Sequence, residues 1–164
     1  MRPPSAGPSR AADEMMALSQ AADARRREGR IEEAQALVEQ ALRWASVLPS
    51  VDAACALWCD QADLLMAWMH GIADDADPSA PAQREYLREQ ARACCLEAAS
   101  LAARASDPQW EVQLLLRASD LLDQLGEHAD AIALQCRALR LIVPTDDGRD
   151  APAPEAWADR PGPA

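Results

Sequence analysis

Residues 28–43 read EGRIEEAQALVEQALR, and residues 125–140 read LGEHADAIALQCRALR. The two stretches align without a gap at an offset of 97 residues, pairing Gly29 with Gly126, Ala34 with Ala131, Leu37 with Leu134, Ala41 with Ala138, Leu42 with Leu139 and Arg43 with Arg140. A second pattern keeps the same offset. A small residue followed by Asp occurs as Ala22-Asp23, Ala62-Asp63 and Ser119-Asp120, at spacings of 40 and then 57 residues. Two separate stretches sharing one offset point to a repeated structural unit, which limits the possible folds more tightly than composition does. The longer second interval contains DDADPSAP at 74–81 and a long segment after it, and these absorb the excess.

Within each unit the apolar residues recur at i, i+3, i+4 and i+7, the period of a helix with one buried face. Six helices are predicted, over about 11–28, 31–47, 51–73, 82–105, 109–125 and 128–142. Gly29 and Gly126 end the first and fifth, Pro49 and Pro144 close the second and sixth, and Ser106-Asp107-Pro108 stops the fourth and starts the fifth, with Ser106 or Asp107 as its N-cap. The third is apolar nearly all round, as a helix packed on several sides would be. No segment alternates with period two. The fold class is therefore all-α, as three stacked antiparallel helical hairpins over residues 11–143. The segments 1–10 and 144–164, rich in Pro with Ser, Gly, Asp or Ala, are expected to be disordered tails.

The net charge of −11 argues against a phosphate-backbone ligand and favours a basic or amphipathic polypeptide segment, or simply serves solubility. All 16 basic residues are Arg, and Lys, Asn and Phe are absent, the mark of a GC-rich bacterial genome. MRPPSAGPSR lacks the apolar core of a secretory signal, and Asp52, Asp60, Gln61 and Asp63 interrupt the most apolar stretch, so no membrane span is expected. Five Cys without secretory context suggest reduced thiols in a cytoplasm.

A Gly turn, an acid-rich step, Ala five residues after the Gly and Ala-Leu seven beyond it resemble the tetratricopeptide repeat, across roughly residues 12–143. The match is good for the first and third units and weak for the second. The family's aromatic positions are Leu18, Arg25, Leu115, Leu122 and Gln135 here, which leaves a different all-α bundle as the alternative. The resemblance implies hairpins stacked into a superhelix. It also implies a groove lined by the first helix of each unit: Met16, Ser19, Asp23, Arg26 and Arg27, then Ala56, Cys59, Asp63, Met66 and Ala67, then Gln113, Leu116, Asp120, Asp123 and Gln124. On that reading Asp23, Asp63, Asp120 and Asp123, with the soft side chains Met16, Met66 and Leu116, form an acidic peptide-binding groove. The protein would be a non-enzymatic adaptor or scaffold without a cofactor. The competing reading pairs these Asp with Arg on adjacent helices, such as Arg92, Arg104 or Arg117. Size, acidity and three-unit layout are also similar to the tetratricopeptide-type chaperones of bacterial type III secretion.

Little else in the sequence suggests chemistry. Cys55 and Cys59 share a helix face, and Cys94 joins them if the third and fourth helices meet, which makes a metal or redox sensor the rival class. Small buried hydrophobes are the simpler reading. Asp60 and Asp63 are a carboxylate pair on an apolar helix. His70 and His128 lack metal-ligand spacing, and no P-loop, dinucleotide or G-x-S-x-G motif occurs. Trp44, Trp58, Trp68 and Trp110 are expected to fill the core, and Trp157 in PEAWADR stands apart as a docking motif or an incidental residue.

Overall fold

The computed structural model describes residues 8–72 and 78–143. Six helices occur there and no strand: α1 (Pro8–Arg27), α2 (Ile31–Ala45), α3 (Asp52–Gly71), α4 (Ala80–Ala102), α5 (Pro108–Gln124) and α6 (His128–Ile142). The most extensive packing is within α1–α2, α3–α4 and α5–α6, so consecutive helices form three hairpins. These are joined by α2 against α3 and by α4 and, more lightly, α3 against α5. The helix starting at Pro8 overruns the boundary expected at residue 10. The remaining tail assignments, and Trp157, lie outside the described residues.

The repeated residues sit where repetition has a physical reason. Ala34, Ala41, Ala131 and Ala138 are all buried, where a larger side chain would hold the helices of a hairpin apart. Ala22, Ala62 and Ser119, the small members of the repeated pairs, are buried as well. Gly29 and Gly126 adopt φ of 76° and 82°, a region closed to most side chains. Around each, the next residue's N–H reaches back five positions, Arg30 to the Arg25 carbonyl and Glu127 to the Leu122 carbonyl, both at 2.9 Å. The glycine N–H bonds a carbonyl three residues back, that of Arg26 or Asp123, at 3.0 Å. The same C-terminal cap therefore recurs in the first and third hairpins. At the start of α5 the Asp107 side chain accepts from the Gln109 N–H, with Pro108 in the first turn.

Two cores share α3. Leu57 and Leu64 face the first hairpin, against Ala22, Val38 and Ala41. Cys55, Cys59, Ala62 and Met66 face the other way, into a larger core with Leu87, Leu115 and Leu122. This double burial explains an apolar pattern that runs round the helix. The Trp expectation is corrected. Trp44, Trp58 and Trp68 are only partly buried and Trp110 is exposed, because an interior spaced by Ala and Cys has no room for a whole indole.

Candidate functional site

The first helices of the hairpins, α1, α3 and α5, are linked by charge. Arg26 on α1 meets Asp63 on α3 at 2.7 Å, and Arg117 on α5 meets Asp60 on α3 at 2.5 Å. Burial works against the Arg117 charge, but the Asp60 carboxylate more than offsets it and holds the Arg117 pKa above its ordinary value. Asp60 and Asp63 are thus occupied within the chain. Asp123 is hydrogen-bonded to His128. Asp23 and Asp120 are exposed and make no ion pair among the described residues. Met16 and Leu116 stand open at 56% and 41% exposure. Met66 does not: it is 3% exposed, sealed into the larger core because α3 is covered by α4 and α5 on that side. The structure therefore does not bring the seven predicted groove residues into one continuous concave surface.

Cys55, Cys59, Cys94 and Cys95 are all buried in the larger core. Burial pushes the thiols of Cys55 and Cys59 up to about 11 and those of Cys94 and Cys95 up to about 12. They are protonated at neutral pH and pack as small hydrophobes. Among the described residues no group of three or more His, Cys, Asp or Glu is placed to hold a metal.

An open cleft of about 800 Å³ lies elsewhere, between α2 and α4. Its floor is a single stripe of α3, Trp58, Gln61, Leu65 and Trp68, at i, i+3, i+7 and i+10. Leu42, Glu39 and Arg43 of α2 form one wall, and Leu87, Tyr86 and Gln90 of α4 form the other. One acid and one base face it, so the cleft is close to neutral in an otherwise acidic protein.

The cleft is open because α2 and α4 lack the bridges that tie α4 to α6. The gap between α4 and α6 is filled by arginines. Arg92 pairs with Asp130 at 2.8 Å, Arg88 pairs with Glu127, and Arg137 reaches the Ala99 carbonyl at 2.8 Å and Glu111 at 2.5 Å. Among the described residues no hydrogen bond or ion pair joins α2 to α4, and the indoles of α3 lie beneath the space instead.

One group in the cleft is out of balance. Gln61 is 5% exposed, yet its side-chain Oε1 has no hydrogen-bond partner. A buried amide oxygen left without a donor costs about 1–3 kcal/mol. The motif reading missed this site. Its trace in the sequence is one Gln in line with two Trp and a Leu on a helix otherwise built of core residues.

Among the described residues no helix is long and apolar enough to cross a membrane. No protein-family profile, no curated protein and no solved structure matches this chain.

Proposed function

We propose that this chain is a non-enzymatic interaction module, of the adaptor or scaffold kind, which binds a segment of another polypeptide in the cleft between α2 and α4. The tetratricopeptide-like reading of the repeat is part of the same proposal. The observation that carries it is the cleft itself, with two partly exposed indoles and a buried, unpaired amide between them. Aromatic floors with a few placed polar groups are the usual make-up of binding sites. The neutral lining moves the proposed surface away from the acidic face of α1, α3 and α5, where Arg26 and Arg117 already occupy carboxylates. The thiol-sensor class loses support, because its reactive thiolate has no counterpart in Cys55, Cys59, Cys94 or Cys95 at neutral pH.

The test is site-specific photo-crosslinking in cells that make the protein, with the photoreactive residue at Tyr86 or at Met16. Both positions are exposed, one at the cleft and one on α1. Polypeptide adducts from position 86 are expected. Adducts from position 16 alone would return the site to the first-helix face, and none from either would reject the function.

A further inference from the structure

We infer that α6 pairs with the α6 of a second copy of this chain, antiparallel and across a two-fold axis, through a seam of Ile132, Cys136, Leu139 and Val143. The seam lies on a different face from the cleft and goes beyond the function proposed for it.

The seam is open and continuous. Ile132, Leu139 and Val143 are 58%, 57% and 60% exposed, and Cys136 is exposed between them. Steps of four, three and four residues keep all four side chains in one stripe along the helix. Val143 caps α6, yet its N–H still bonds the Leu139 carbonyl at 2.9 Å and so keeps the helical register.

The fold does not require an apolar stripe at these positions. At the 97-residue offset of the repeat, Ile132, Cys136 and Val143 correspond to Gln35, Glu39 and Ser46. Those three line the open cleft on α2 and at its C-cap. The two helices share their buried alanines, but the outward positions are polar on α2 and apolar on α6. Apolar surface of that kind gains only from a contact that removes it from water.

Three observations select a second copy as that contact. The first is spacing. The order four, three, four reads the same in both directions, so antiparallel pairing sets Ile132 against the other copy's Val143 and Cys136 against its Leu139. The second is charge. Two chains of net −11 repel over most of their surface. The one acid of α6, Asp130, is bound to Arg92 at 2.8 Å, so this helix offers no free carboxylate. The third is the rest of the chain. Among the described residues no other helix exposes more than two large apolar side chains, and α1, in the opposite terminal hairpin, exposes Met16 alone. A head-to-tail contact finds no matching seam, so the pairing is isologous and closes at two copies.

Sedimentation equilibrium of the full-length protein across the micromolar range tests this. Wild type is expected to pass from the mass of one chain to twice that mass, the weak association that a single helix seam supports. Alkylation of Cys136 should slow over the same range, because pairing covers that thiol. Giving α6 the α2 residues, as Ile132→Gln with Cys136→Glu and Val143→Ser, should raise the dissociation constant by about a hundredfold or more. Helicity by circular dichroism should be unchanged, since α2 folds with those residues. A wild type that keeps the mass of one chain and a constant alkylation rate would overturn the inference and leave the seam to a foreign helix. Masses above two chains, or a folded triple variant that dimerises as well as wild type, would overturn it too. The substitutions lie outside the cleft, so this inference and the proposed function fail separately.

Discussion

Arg26 on α1 and Asp63 on α3 meet at 2.7 Å, so a carboxylate that the repeat pattern marks for a partner already has one inside the chain. Both side chains are about half to two-thirds covered, and pairs of that exposure contribute ~0–1 kcal/mol. Changing Asp23, Asp63 and Asp120 together to Ala is expected to leave helicity and cleft binding intact. Circular dichroism and cross-linking from position 86 check it. Loss of binding in the folded variant would restore the acidic face as the site.

The second bridge is about as exposed as the first, with the Arg117 and Asp60 side chains 43% and 33% exposed against 49% and 35% for Arg26 and Asp63. Double-mutant cycles with Asp60→Asn and Arg117→Gln, and with Asp63→Asn and Arg26→Gln, are both expected to give couplings below about 1 kcal/mol. Urea denaturation of the four variants in each cycle measures both.

Alkaline stability should follow the thiols. The ordinary Cys value is 9.0, and burial raises Cys55 and Cys59 to about 11 and Cys94 and Cys95 to about 12. Their contribution is complete below about pH 9 and is lost as pH rises through the raised values, because the unfolded chain releases those protons first. The chain has no Lys and one Tyr, so few other groups titrate in that window. Thermal midpoints should fall from pH 9 upward, and less so in a variant with these four Cys changed to Ala. At pH 8 the folded protein should be alkylated only at the exposed Cys136, and at all five thiols in denaturant, as read by intact mass.

The two caps are expected to respond alike. A Cβ at Gly29 or Gly126 would meet nothing within 4 Å, so the penalty there is backbone strain alone. Gly126→Ala should cost about 1–2 kcal/mol, and Gly126→Asn less. Leu122→Ala, at a side chain with no exposure, should cost about 2–5 kcal/mol by leaving a cavity. Thermal denaturation separates the two scales. A Gly126 variant as unstable as Leu122→Ala would show that the turn does more than end a helix.

The helices were legible in the sequence because helical period, Gly caps and Pro stops are local signals. A cap from Ser106 or Asp107 ahead of Pro108, and the small alanines of the repeat, were legible for the same reason, and the structure gives the cap to Asp107. The site was not, because it depends on which helices become neighbours. Arg88, Arg92 and Arg137 close one seam and have no working counterpart in the other, and nothing along the chain says which seam an Arg will meet. Met66 shows the same difficulty. Its register suited an open face, but α3 is covered there by helices distant in sequence. Gln61 was visible only as a polar residue on an apolar helix. Its meaning comes from the absence of a partner.

The smaller core lies between the first hairpin and α3, and that hairpin meets the rest of the protein mainly through α2 against α3. A unit fastened along one seam is expected to open before the remainder unfolds. Since α2 is also a wall of the cleft, whatever bridges α2 and α4 closes a thermodynamic loop. Occupancy would shift the docking equilibrium of α1 and α2, and the looseness of the N-terminal block would in turn set an upper limit on affinity.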